Sequence, residues 1–548
     1  MNRSRGPLIS AVLAVAAIRL LTLPYGFWNA GEVRFAQALQ TFDPLRQQPD
    51  APGYPLYVAL GRLIHFFVRD PFAALVVLSV AASILSAWLI GRLAGSLLGS
   101  AWSGAAVAIL VLLSPAMIVF GPLPNAESVA LACVAAALLF LVEKKPEPFA
   151  LAAAAAIGVR PQLAPAMLVV FAAGCAVLPR KLRAGTLFSG ALLLVFVPMA
   201  EAIGAGLLWE WLGPHLRPHA AADFLGAGGR ETLLRFTAHP WGGKALSLPL
   251  LAAATGGMLV ALRRYRSVAA LAIGGMGAVH LLVCLLTASP SDGVQPILPA
   301  LLPAGFFAVA ALARWPIAAA GFSALFATVS LVYGWPLIEE RTRRAAPAVM
   351  AMRYAARTLP AGAVLVADPD LAPFAAGHPA VITPEKFDEV ARRHEVDLYL
   401  LMHGRSHAAG ARVFEWSDSD AYGKLTTEKF RVVSLVPQPP AQRYVGGSGV
   451  YVHESSPERG EWRWLTRNAV IEVVAAAPSL ALRFRLPHDA PMEANRLLVG
   501  GTAIDVLRGS SVEVVVPFVP QLVVRAERSY LPRDGRDLAI QLVALEQR

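Results

Sequence analysis

A succession of long apolar runs constrains this chain more than anything else in it. They lie at roughly 7–27, 71–93, 102–120, 126–142, 147–159, 162–179, 184–205, 243–262, 267–287, 294–313 and 315–335. A helix needs ~20 apolar residues to cross a bilayer core, and lipid offers no partner to an unpaired backbone group. The runs are continuous rather than alternating, so they predict helices, with about eleven crossings. Only 16% of the 548 residues are charged and the mean hydropathy is +0.55, which excludes an ordinary soluble enzyme. The basic opening, residues 1–6, leads straight into the first run without a small-residue cleavage site, so a retained signal anchor is expected.

The formal charge of +11 does not point to nucleic acid. Its basic residues fall in short clusters between apolar runs: Arg92, Lys144-Lys145, Arg180–Arg183, Arg263–Arg266 and Arg314. Alternation of the spans puts all of these on one side, which the positive-inside rule makes cytoplasmic. The N-terminus is then inside, and 28–70, 121–125, 158–162, 206–242, 288–293 and the tail are outside. Segment 54–68 is apolar but short and marked by Arg62 and His65, and reads as an interfacial or partly re-entrant helix on the outer face. The cysteines, Cys133, Cys175 and Cys284, all lie in apolar runs and show no metal-binding spacing.

Past Trp335 the runs shorten and charge rises. A helical stretch at 346–358, strand candidates at 363–367 and 396–402, and a helix at 384–394 predict a small α/β unit. From about Glu458 the pattern becomes short strands, at 469–475, 480–486, 496–499, 511–516, 521–527 and 537–545, which predicts a β-sandwich of jelly-roll type. The expected domains are therefore 1–340, 341–456 and 457–548.

Polar residues on the outer face beside spans are the candidates for chemistry, since lipid tolerates them only against a cavity or one another. Asn29, Glu32, Arg34 and Asp50 form one group in the first loop, and a solvated loop carboxylate is the plain alternative for Glu32. Asn125, Glu127 and Ser128 form a second, where Asn125 or Ser128 could equally cap the next helix. Arg160 and Gln162 interrupt a run in Arg160-Pro161-Gln162; a guanidinium there suits a phosphate, unless the span count is off by one. The loop 206–242 adds Trp209, Trp211, His215, Arg217, His219, Arg230, Arg235 and His239, an interfacial belt or a sugar-stacking surface. Asp292 reads as a turn residue.

Taken together, the acidic residue opening the first outer loop, the stretch Pro52-Gly53-Tyr54-Pro55-Leu56-Tyr57, the Leu-Pro-Asn-Ala-Glu-Ser at 123–128, the pair Arg160-Pro161 and the Gln-Pro-Ile-Leu-Pro-Ala-Leu-Leu-Pro at 295–303 resemble the GT-C glycosyltransferases. The similarity is to bacterial members of the protein mannosyltransferase and aminoarabinose-transferase type, and covers about residues 7–335. It implies a GT-C-like membrane domain followed by the α/β unit and the β-sandwich. It also implies inverting transfer of a sugar from a polyprenyl-phosphate donor to a glycan, lipid or protein acceptor, in a bacterial inner membrane with the tail periplasmic. In that family the first-loop acid is the catalytic carboxylate, here Glu32, which would take the acceptor's proton as general base. Arg160, then Arg34, with Gln162 and Tyr54, would meet the donor phosphate. Asn29, Asp50, Asn125 and Glu127 would orient the acceptor, and Asn125 with Glu127 could hold a divalent metal. The chain departs from the pattern in having Gly31-Glu32 where relatives carry an acidic pair, no lysine before the outer helix, and Gln295-Pro296 in place of an Arg-Tyr pair. Those departures keep two other classes open: a transporter or flippase of lipid-linked sugar, and a catalytically silent scaffold with a glycan-binding tail.

Overall fold

The computed structural model describes residues 5–204, 229–264, 267–287, 293–375, 378, 380–393, 395–406, 408, 410–416, 432–439, 443–456, 460–473, 478–531 and 536–547. Trp209, Trp211, His215, Arg217, His219 and Asp292 lie outside these, as does the side chain of Arg230. The chain divides into two units, the first running to Ala345 and the second opening at Ala346.

The first unit is helical: α1 (Gly6–Leu21), α2 (Ala30–Gln40), α3 (Pro55–Phe67), α4 (Pro71–Leu98), α5 (Ala101–Leu112), α6 (Pro115–Phe120), α7 (Glu127–Val142), α8 (Pro146–Val159), α9 (Ala164–Val177), α10 (Lys181–Ile203), α11 (Gly229–Thr237), α12 (Lys244–Arg264), α13 (Val268–Thr287), α14 (Leu301–Ala311) and α15 (Pro316–Arg343). Proline opens α3, α4, α6, α8 and α15, where its fixed φ suits the helix and its missing N–H costs nothing. Asp70 caps α4 by accepting from Ala73 N at 2.7 Å, and Gly99, at φ +74°, ends it.

The apolar runs reappear as helices, but their lengths differ from expectation. Among the described residues four helices are long and apolar enough to cross a membrane: Pro71–Leu98, Lys181–Ile203, Lys244–Ala261 and Val268–Thr287. A bent pair beginning with Pro316–Val332 brings the number to five, against the eleven that run length predicts. The remaining runs form apolar helices of 10–17 residues. Internal breaks shorten them. The run 102–120 splits at Ser114-Pro115, and the Gln295–Ala300 turn interrupts 294–313. Segment 54–68 is the helix α3, as read, but the loop before it also folds, into α2, which the sequence reading leaves as loop.

Side-chain pairs sort the turns of this unit into two ends. At one end Arg92 and Lys145 meet Glu143, each at 2.7 Å, while Arg180 and Arg183 reach Glu147 at 3.5 and 3.3 Å. At the other, Trp28 stacks on Phe120, Gln162 meets Tyr54, and Arg341 reaches back to Thr22. Arg92, Lys145, Arg180 and Arg183 therefore lie at the end opposite the first loop. Helices α8 and α9 form a hairpin: Phe149 and Phe171, equally far from Arg160 along the chain, stack at 5.9 Å, and Phe171 stacks on Phe188 of α10 at 4.1 Å. Where α4 and α5 cross, any Cβ on Gly104 would run into the carbonyl oxygen of Gly91. Such small-residue crossings are how helices approach closely where lipid supplies no hydrophobic drive.

In the second unit, α16 (Pro347–Thr358) precedes a five-stranded mixed sheet of order β2-β1-β3-β5-β4, with β1 (Val364–Ala367), β2 (Val381–Ile382) and β3 (Leu398–His403) parallel and β4 (Arg412–Glu415) and β5 (Val432–Gln438) antiparallel. The short helices α17 (Ala372–Ala375) and α18 (Phe387–Ala391) fall between its strands. Two further five-stranded sheets form the sandwich, β13-β10-β15-β8-β7 and β12-β11-β14-β9-β6, around a core that includes Leu482, Phe484, Leu497 and Leu542. Its strands are β6 (Tyr444–Gly446), β7 (Val450–Ser456), β8 (Gly460–Leu465), β9 (Asn468–Val473), β10 (Ser479–Arg485), β11 (Ala494–Val499), β12 (Thr502–Leu507), β13 (Ser511–Pro517), β14 (Gln521–Ala526) and β15 (Ile540–Gln547). β6 and β7 pair with β9 and β8, so the sandwich takes in strands that precede residue 457. Buried Arg463 of β8 meets Asp388 of α18 at 2.9 and 3.1 Å, joining sandwich to α/β sheet.

Candidate active site

Helix α2 begins with an N-cap that the sequence spells out. Asn29 Oδ1 accepts the Glu32 N–H at 3.0 Å, and Glu32, at the third helical position, reaches back. Its Oε2 accepts the Trp28 N–H at 2.7 Å and its Oε1 accepts Asn29 Nδ2 at 2.9 Å. This reciprocal arrangement is close to a capping box. It also excludes the solvated-loop reading, because Glu32 is only 1% exposed. Burial, working against the Trp28 donor, the Arg341 guanidinium and the Asn29 donor, pushes the carboxyl up from its ordinary 4.5 to about 8.

The remaining candidates fall into pairs. Arg34, two residues on, forms an ion pair with Asp50. That pair sits beside the cap: a Cβ on Gly31 would lie 3.3 Å from Asn29 Oδ1 and 3.5 Å from Asp50 Oδ2. Tyr54, held in the left-handed region at φ 46°, packs its ring edge-on against Phe35 of α2 at 5.1 Å. Its hydroxyl accepts from Gln162 Nε2 at 2.8 Å, which ties the first loop to the α8–α9 corner. Arg160, at that corner, forms an ion pair with Glu127 in the first turn of α7, both almost fully buried. Arg160 thus shares an end with Glu127 and the first loop.

The N-cap of α7 is Ala126, not Asn125 or Ser128. Asn125, just before it, accepts the Glu127 N–H on Oδ1 at 3.1 Å and donates from Nδ2 to Phe120 O at 3.1 Å, which closes the turn after α6. Ser128 instead donates to Gly121 O at 2.8 Å. Among the described residues no three His, Cys, Asp or Glu side chains come together as a metal site. With Glu127 bound to Arg160 and Asn125 to backbone, these residues do not fit a metal centre.

Sequence reasoning misses two buried arginines. Arg19 of α1 is fully enclosed and donates to Leu112 O at 2.7 Å, at the end of α5. Arg341, near the end of α15, donates to Thr22 O at 3.1 Å and to Val119 O. The helices α1, α5 and α6 all end inside the protein, and their last carbonyls carry partial negative charge that a guanidinium satisfies. Gly121 makes room, since a Cβ there would lie 2.7 Å from Arg19 Cζ. A charge inside an apolar run is itself the signal for Arg19. His280, also inside a run, is turned to the same end, its Nε2 2.8 Å from Pro296 O.

Two solved structures share this architecture. ArnT from Cupriavidus metallidurans in the apo state matches with a TM-score of 0.51 at 13% identity, over 78% of this chain and 97% of that one. The apo Archaeoglobus fulgidus oligosaccharyltransferase matches with a TM-score of 0.51 at 10% identity, over 99% of this chain and 97% of that one. No protein-family model and no curated protein matches the sequence. At these identities the likeness is one of fold: the chain has a GT-C-like fold and is a multi-pass membrane protein.

Proposed function

We propose that this protein is an integral-membrane, inverting glycosyltransferase that takes a sugar from a polyprenyl-phosphate-linked donor. The observation that carries the reading is Glu32: a buried carboxyl with its proton affinity raised to about 8, at the end of the helical unit where the broken helices and the first loop converge. A base with a pKa near working pH is the useful one, because it is part-ionised and still holds a proton well. In the reaction the acceptor hydroxyl loses its proton to Glu32 as its oxygen bonds to the anomeric carbon. The bond from that carbon to the phosphate oxygen breaks on the opposite face, and polyprenyl phosphate leaves. Each Glu32 oxygen has lone pairs beyond the one its present donor uses, so it can accept that proton without losing its cap.

The developing charge on the phosphate calls for a cation. Arg160 is enclosed with Glu127, whereas the Arg34–Asp50 pair is more open, with side-chain exposures of 15% and 36%. We therefore assign Arg34, together with Tyr54 and Gln162, to the phosphate, and give Arg160 and Glu127 the task of fixing the corner that holds Gln162. Asn29 orients Glu32. By the positive-inside rule we assign the end carrying these basic residues to the cytoplasm and this end to the outside of a bacterial inner membrane. The acceptor is a glycan, lipid or protein hydroxyl.

The test is turnover by the purified chain in lipid nanodiscs, with hexosyl-, pentosyl- and aminosugar-linked polyprenyl phosphates. Release of free polyprenyl phosphate that depends on an added acceptor supports the reading. Binding without release from any of these donors overturns it in favour of a scaffold. Movement of intact donor between leaflets in liposomes overturns it in favour of a flippase. Sidedness is read separately by labelling Arg46→Cys, because Arg46 is exposed in the first loop and its replacement leaves Glu32 in place.

A further inference from the structure

Arg341 lies hundreds of residues from the first loop in sequence, yet it holds that loop in several places. Its guanidinium donates to Thr22 O, and its own carbonyl accepts the Tyr25 N–H at 3.0 Å. One residue thus fastens both ends of the turn leaving α1. That turn leads to Trp28, whose N–H is the 2.7 Å donor to Glu32. The third contact, to Val119 O, anchors the residue beside Phe120, and the ring of Phe120 stacks on Trp28 at 5.9 Å. Arg341 therefore supports Trp28 from the chain before it and from the ring beneath it. At 2% exposure its charge is weakly screened, and it favours the ionised form of Glu32.

We propose that Arg341 is a positioning residue for Glu32: it fixes the Trp28 N–H that Glu32 accepts and supplies the positive field in which Glu32 gives up its proton. Other groups share that field. Arg19 on α1 faces Arg341, Tyr57 on α3 faces Glu32, Asn29 donates to Glu32 from its own cap, and Arg34, two residues along α2, is paired with Asp50. Arg341 differs from the rest in combining the charge with the clamp. Its part in turnover rests on the glycosyltransferase reading, whereas its hold on Glu32 does not.

The experiment compares the full chain, Arg341→Gln and Arg341→Lys in nanodiscs. The titration of Glu32 is read as the carboxyl infrared band that is absent from Glu32→Gln. Loss of the charge in Arg341→Gln is expected to raise the midpoint by about one pH unit or more. Arg341→Lys keeps a charge but cannot fork to Thr22 and Val119, so its midpoint stays nearer the parent while the plateau kcat falls about tenfold at unchanged KM. A folded Arg341→Gln chain with an unmoved midpoint overturns the proposal. Should that variant not fold, Arg341→Lys with parental kcat does the same. A shifted midpoint in a protein that transfers no sugar upholds the hold on Glu32 and defeats the glycosyltransferase reading alone.

Discussion

Arg160 and Glu127 form a buried ion pair between the α8–α9 corner and the first turn of α7. Each would be costly to bury alone, and together they fix the corner from which Gln162 meets Tyr54. A guanidinium that the sequence offers to a phosphate is instead matched by an internal carboxylate.

Breaking this pair from one side should cost about 3–5 kcal/mol, the penalty for a lone buried charge. Arg160→Met is thus expected to lower the unfolding midpoint markedly, and the double variant Arg160→Met with Glu127→Leu to regain most of it. The donor KM of the double variant should stay within about threefold of the parent. A rise of ~1.4 kcal/mol in apparent binding free energy, tenfold in KM, would return Arg160 to the phosphate.

Glu32 predicts a sign for the pH dependence of stability. Folded, it keeps its proton up to about 8; its ordinary value is 4.5. The folded chain binds that proton more tightly, so the stability it contributes is complete below 4.5 and is lost as pH rises towards 8. Glu32→Gln cannot ionise, so over that window its unfolding temperature should fall less with pH than the parent's. Parallel curves would contradict the buried titration.

The close crossing of α4 and α5 leaves no space at Gly104. Gly104→Val should force the helices apart against backbone, costing about 3 kcal/mol or more and reducing the yield of monodisperse protein in detergent. Gly190, where nothing lies within 4 Å of an added Cβ, should accept valine with little effect beyond helix propensity.

In the second unit, Arg463→Met leaves Asp388 without its bidentate partner. Asp388 is partly exposed, so the expected loss is modest, about 1–2 kcal/mol, and a double-mutant cycle with Asp388→Asn should show coupling of about 1 kcal/mol. Zero coupling would mean that other contacts alone join the sandwich to the α/β sheet.

Much of the helical fold is legible because run length and proline placement are local signals. The break at Ser114-Pro115 and the cap from Asn29 to Glu32 can also be read off the sequence with hindsight, since a helix stop and an N-cap need only neighbours. The pairing of Arg160 with Glu127 cannot, because it depends on the α7–α8–α9 turns closing on one another. Arg341 is hidden for a different reason: it lies where charge density rises towards the tail, so nothing local marks it as buried. In the sandwich, β8 alternates Trp462, Arg463, Trp464 and Leu465 with the arginine turned inward to Asp388, which defeats a reading of polar-out alternation. The strands at 444–446, 450–456 and 502–507 escape because they are short or lie between turns.

The central claim is that the first-loop carboxylate does the proton transfer in sugar transfer. The most direct measurement is acceptor-dependent transfer from a polyprenyl-phosphate-linked sugar by the purified parent and by Glu32→Gln, with unfolding midpoints recorded on the same samples. Glu32→Gln is expected to stay folded and to lose about a hundredfold or more in kcat, the usual worth of a general base. A folded Glu32→Gln chain with parental kcat contradicts the claim.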